Sequence, residues 1–259
     1  MSGNPALEQP LWLIGPLAFL LGAIVGSFLA TALVRWPRGQ SALRGRSACD
    51  SCGARLGPFL LVPILSFLAL RGRCRSCGAA IDRRHVAIEL AAAFIALVSV
   101  VAHPLQLAFV SAAFGWWLLL LAALDLEHHW LPDALTLPLV PSGLLTAWLG
   151  LGPPLDQRAI GAVAGFATLA LIAWAYHRVR GREGMGGGDP KMLAAIGAWV
   201  GALSLPHVLL GAGLVGLAVV ALMKVRGEAV AATTRMPLGS LMAIAAWPVW
   251  LTVANCDLC

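Results

Sequence analysis

Apolar segments close to twenty residues long recur from one end of this chain to the other, and they leave very few folds open to it. We read them at 12–34, 86–102, 105–124, 134–150, 158–177, 190–203, 207–223 and 237–254. A stretch of that length and polarity matches the hydrocarbon thickness of a bilayer when helical. Only helices and closed barrels satisfy the backbone in lipid, and these runs are far too long for barrel strands. With 59% hydrophobic and 12% charged residues, the composition agrees. The fold class expected is all-α: a polytopic membrane protein of about eight transmembrane helices. The sixth segment, 190–203, is short for a span and is expected to tilt or to pack among its neighbours.

The net charge of +6 does not point to nucleic acid, because the basic residues are clustered by topology. Ten arginines fall between Arg35 and Arg84, among them Arg44 and Arg46. Most of the others occupy two later short loops, with Arg178, Arg180 and Arg182 in one and Lys224, Arg226 and Arg235 in the other. Basic residues are retained on the cytoplasmic side. The segments 35–85, 125–133, 178–189 and 224–236 are therefore expected inside and the N-terminus outside, with Arg158 the exception. Residues 1–11 contain Glu8 and no Lys or Arg, while Arg35 and Arg38 follow the first apolar stretch. That order is the reverse of a secretory signal, so the first span is expected to stay.

The one long polar loop, 37–85, carries Cys49-x-x-Cys52 and Cys74-x-x-Cys77, separated by 21 residues. Two such knuckles supply the corners of a tetrahedral four-cysteine zinc site. A cytosolic setting keeps thiols reduced, glycine follows each knuckle (Gly53, Gly78), and Arg71, Arg73 and Arg75 flank the second. A structural zinc staple is the expectation, and thiol exchange is the competing use of the motif. Within the same loop, the apolar run 58–68 is too short to span and is expected along the membrane interface. Cys256 and Cys259 receive no role.

Asp125 ends an apolar segment, and Asp189 follows Gly184-Met185-Gly186-Gly187-Gly188. Ionisable groups at membrane depth are costly and mark function. Two carboxylates at one membrane level suit acid–base hydrolysis, one taking a proton from water and the other donating to a carbonyl. Glycines at 186 and 188 permit a backbone that an extended substrate can approach. Taken alone, Asp189 equally suits the cap of a helix beginning at Pro190, and Asp133, after Pro132, suits the cap of the next one. Asp125 has no such excuse at a helix C-terminus, and His128 and His129 are conceivable metal partners for it.

Together these residues resemble the bacterial type IV prepilin peptidases, polytopic aspartic proteases of the G-x-G-D intramembrane type. The motifs that carry the resemblance are Val25-Gly26-Ser27-Phe28-Leu29, the two knuckles, and Leu70-Arg71-Gly72-Arg73-Cys74 with Ile88-Glu89-Leu90. Asp125 with Leu131–Pro138, and Arg182–Lys191, complete the set, so that it covers about residues 20–245. The resemblance implies a catalytic pair, Asp125 and Asp189, with Gly186, Gly188 and Asp133 shaping the site. It implies a membrane-inserted prepilin or type II secretion pseudopilin as substrate, cut at the cytoplasmic border after a glycine. S-adenosylmethionine-dependent N-methylation of the new N-terminus is implied as well. Ala30, Asp50-Ser51, Arg75-Ser76 and Gly187 depart from the common family pattern.

The expected organisation is an N-terminal domain, 1–103, holding the zinc loop, and a peptidase domain, 104–259, in a bacterial inner membrane. A proton- or ion-coupled transporter is the main rival, and a zinc-stapled scaffold the second; neither explains carboxylates at one face together with four cysteines.

Overall fold

A computed structural model describes residues 10–41, 49, 51–55, 57, 62–182, 184–228 and 236–255. Among them every regular element is helical, the sole β feature being an isolated antiparallel bridge between Arg73 and Ala80. Glu8, Arg44, Arg46, residues 58–61, Glu183, Arg235, Cys256 and Cys259 lie outside the described residues. The chain divides into two compact units, Met1–Leu120 and Leu121–Cys259.

The first unit contains α1 (Leu11–Arg35), α2 (Leu65–Ala69), α3 (Arg83–Ala102) and most of α4 (Leu105–His128). Glycines set the approach of α1 to α3. A Cβ on Gly22 would fall 2.5 Å from the Ala92 carbonyl oxygen, and one on Gly26 would fall 2.6 Å from Cα of Glu89. Small residues at four-residue spacing thus form a real contact here. The Trp116 indole adds a 2.9 Å hydrogen bond to the same Ala92 carbonyl. Asp82 caps α3 by accepting from the Arg84 amide at 2.9 Å. Glu89 is buried and accepts from the amide of Ile64 at 2.8 Å, which ties the polar loop to α3. Ile64 has φ +62°, a strained setting for a β-branched residue that starts α2 beside it. Leu65 and Leu68 on α2 are each 63% exposed.

The second unit contains α5 (Asp133–Trp148), α6 (Leu155–Arg180), α7 (Gly188–Val200), α8 (Leu205–Val225) and α9 (Leu238–Val253). Its centre is α7, buried from Asp189 to Val200 except at Lys191. Helices α5, α6 and α9 pack against it. Glycine again permits the closeness: a Cβ on Gly165 would lie 2.5 Å from the Leu193 carbonyl, and Gly161 meets Gly197 backbone to backbone. Gly143 on α5 meets the Ala198 carbonyl in the same way. The Trp199 indole donates to the Leu139 carbonyl at 2.9 Å and stands edge-on to Trp250 at 5.3 Å.

By length and composition, five helical stretches can cross a membrane: Leu11–Arg38, Arg83–Ala102, Leu105–His128, Leu155–Arg180 and Ala202–Val225. The other three expected spans form α5, α7 and α9, of 16, 13 and 16 residues. At about 1.5 Å per residue, α7 reaches only about 20 Å, which its burial among protein tolerates. The break between the expected segments 190–203 and 207–223 falls earlier: Ala202–Ser204 form a 3-10 turn, and Leu205 and Pro206 already belong to α8. Proline at a first helical turn loses no hydrogen bond.

Arg158, the basic residue out of place in the charge pattern, is 0% exposed. Its guanidinium donates to the carbonyls of Pro153 (2.9 Å), Gly143 (2.6 Å) and Leu151, and to the Thr146 hydroxyl (2.6 Å). It also lies over the Trp250 ring at 5.1 Å. A planar five-donor fork suits convergent carbonyls, so this cation joins the end of α5 to α6 and α9.

Candidate active site and metal centre

Asp125 sits in the last turn of α4, where unsatisfied carbonyls make a poor setting for negative charge. Its surroundings reverse that penalty. Ser240, in the first turn of α9, donates its amide to Oδ2 at 2.7 Å, and its hydroxyl oxygen lies 3.1 Å from the same atom. The carboxylate of one helix end therefore meets the unpaired amides of another helix start. Gly239 makes room: a Cβ there would fall 3.0 Å from Oδ2 of Asp125 and 2.7 Å from Cδ1 of Leu131. Asp125 is 5% exposed.

Asp189 is 9% exposed in the first turn of α7. It does not cap that helix. The helix begins at Gly188 with Gly187 at the cap position, and no side chain closes it. The Asp189 amide donates to the Gly186 carbonyl at 3.2 Å, folding the glycine loop under the carboxyl group. Asp125, buried in the same unit, is the neighbouring carboxyl group whose charge acts on Asp189. Leu131 touches the backbone on both sides of this arrangement, since a Cβ on Gly188 would meet its Cβ at 2.8 Å. Gly186 and Gly187 are exposed beside it.

Asp133 is not a cap either. Pro132 takes that position, and Asp133 is the first residue of α5. Both of its oxygens accept from Nζ of Lys191, at 2.7 and 2.8 Å. His128 lies 3.8 Å from Glu127, and His129 has φ +48° where the chain leaves α4. Neither joins a metal-ligand group with Asp125: the one such group of three or more among the described residues is made of cysteines.

That group is Cys49, Cys52, Cys74 and Cys77, whose sulfurs all lie within 4.8 Å of one another. The two knuckles repeat one turn. Cys49 and Cys74 each donate their amide to the residue five positions on (Ala54 at 2.9 Å, Ala79 at 2.8 Å) and accept from the glycine four on (Gly53 at 2.8 Å, Gly78 at 2.9 Å). Those glycines have φ +68° and +71°. Amides of Cys77 and Ser76 hold the Cys74 thiol down to about 6. The Ala79 amide opposes the shift at Cys77, yet the neighbouring sulfurs of Cys52, Cys74 and Cys49, with burial, push that thiol up to about 11. Four thiolates this close need a cation among them. A tetrahedron with metal–sulfur bonds of about 2.3 Å has edges of about 3.8 Å, and Cys49 and Cys77 stand 3.9 Å apart. The donor set fits a tetrathiolate metal ion.

Residues 20–103 match the model of the bacterial peptidase A24 N-terminal domain, and residues 112–221 that of the type IV leader peptidase family. A prepilin leader peptidase/N-methyltransferase of Pseudomonas aeruginosa is 36% identical over 263 residues, covering 90% of each chain. The chain belongs to the type IV leader peptidase family. Proteins of the same name from Dichelobacter nodosus (39% identical, 79% of this chain and 70% of that one) and Burkholderia pseudomallei (39%, 78% and 74%) agree. No solved structure matches.

Of the residues around the two aspartates, Gly239 and Ser240 lie outside every sequence motif, and the pairing of Asp133 with Lys191 is not legible in sequence. A signal existed for one of them. A small polar residue just after Pro237 marks a helix start, though nothing in sequence aims it at Asp125.

Proposed function

We propose that this protein is a membrane aspartic endopeptidase that removes the leader peptide of type IV prepilins or type II secretion pseudopilins, with Asp125 and Asp189 as its catalytic pair. The observation that carries this reading is the burial of both carboxyl groups in one unit, close enough for the charge of Asp125 to act on Asp189. Two such groups share one proton, so the pair is poised with one ionised and one neutral member. The ionised member takes a proton from water as its oxygen attacks the scissile carbonyl. The neutral member donates a hydrogen bond to that carbonyl and then protonates the leaving nitrogen. Gly186 and Gly187 leave an open backbone edge for an extended substrate.

Eight helices in the membrane with the N-terminus outside complete the reading, since the basic loops then lie inside and both aspartates face the cytoplasm of an inner membrane. Residues 1–103 form the metal-stapled part and 104–259 the peptidase part. Zinc is the metal that a closed four-cysteine site favours, in a structural role. The relatives' names and the resemblance support a second activity, N-methylation with S-adenosylmethionine. An open cleft of about 770 Å³ in the first unit, with Arg71, Arg73 and Arg83 beside Phe67 and Leu90, has the charge and apolar wall for a carboxylate-bearing methyl donor.

Mass spectrometry of a co-expressed prepilin tests the reading. Loss of the leader with a methylated N-terminus supports both activities. An intact leader in the presence of folded protein refutes the peptidase.

A further inference from the structure

The first turn of α9 belongs to none of the motifs that mark the chain, yet it makes the closest polar contacts to Asp125. Ser240 is the third residue of α9, so its amide has no carbonyl to find within its own helix. It spends that donor on Oδ2 of Asp125 at 2.7 Å. The Ser240 hydroxyl lies between two acceptors, Oδ2 at 3.1 Å and the Ala122 carbonyl of α4 at 2.8 Å. A hydroxyl carries one proton, so it turns to one acceptor or shares between them.

An amide donates and never accepts, so Oδ2 of Asp125 is held as an acceptor whatever the protonation state of the carboxyl group. The proton that Asp125 gains during a cycle must then go to Oδ1, which among the described residues takes no hydrogen bond. Asp125 faces the Ser240 amide and hydroxyl at a helix start and, from α7, the carboxyl group of Asp189. α9 itself contributes uncharged Gly239 and Ser240 at this point, and the turn after α4 contributes Leu131. The other acid at the start of α5, Asp133, is engaged by Lys191.

We infer that Ser240 is a positioning residue of the peptidase, which clamps Oδ2 of Asp125 so that Asp125 acts as the base through Oδ1 and Asp189 as the acid. This rests on the peptidase reading above and adds to it a division of roles between the aspartates. The balance is simple. Oδ1 of Asp125 receives the proton of the attacking water, Asp189 gives its proton to the leaving nitrogen, and one transfer between the carboxyl groups restores the start.

Steady-state cleavage of a prepilin in detergent by wild type, Ser240→Ala and Ser240→Thr tests the assignment. Removing a hydrogen bond to a charged group is worth about tenfold to a hundredfold in rate. The expected result is that fall in kcat for Ser240→Ala with KM within about twofold, and a higher kcat for Ser240→Thr, which keeps the hydroxyl. An alanine variant with wild-type kcat, a change confined to KM, or a threonine variant slower than alanine overturns the assignment while the peptidase stands. A wild-type protein that cleaves nothing overturns both.

Discussion

Lys191 binds both carboxylate oxygens of Asp133, at 2.7 and 2.8 Å, and so joins the first turn of α7 to the first residue of α5. Asp189 lies two positions before that lysine on the same turn. The pair is partly exposed, so its own worth is small, about 0–1 kcal/mol. Its effect is expected on geometry instead. Asp133→Lys or Lys191→Asp alone should slow prepilin cleavage severalfold with little change in melting temperature, and the double exchange should recover most of the rate. Equal loss in the double variant would deny the pair a positioning role.

The sulfur cluster predicts one tightly held zinc per chain by elemental analysis of purified protein. Cys74→Ser should release it, because Cys74 is the buried sulfur of the set. The remaining thiols should then alkylate freely. Zinc retained at full occupancy in that variant would contradict the tetrathiolate site.

The crossing of α6 and α7 predicts a packing effect. Gly161 and Gly197 touch through backbone atoms, so Gly197→Val should force the helices apart and carry Asp189 with them. Overpacking of this kind costs about 1–3 kcal/mol. A lower melting temperature and reduced cleavage are expected together. Gly187→Ala, where a Cβ meets nothing within 4 Å, should leave stability unchanged.

Much of this fold is written in one-dimensional signals. Apolar length located the eight long helices, and the spacing of the cysteine pairs located four sulfurs close enough to hold a metal ion. The glycine pairs at 22/26 and 161/165 are contact faces, although their spacing does not stand out in a chain with 28 glycines. What stayed hidden is pairing at a distance. The partner of Asp125 is 115 positions away and that of Asp133 is 58. Arg158 looked like an exception to the charge pattern because carbonyls, which every residue carries, are what satisfy it. Both aspartates that suited helix caps failed to cap, because Gly187 and Pro132 start the helices one or more residues earlier.

The most direct measurement is cleavage of a purified prepilin by the wild-type protein and by Asp125→Asn and Asp189→Asn, each checked for helical content and bound zinc. Acid–base groups of this kind contribute about 10²–10⁴ in rate. Wild type should release the leader, and each asparagine variant, folded and metal-bound, should lose at least a hundredfold. Cleavage at the wild-type rate by either folded variant would contradict the assignment of these carboxyl groups as the catalytic pair.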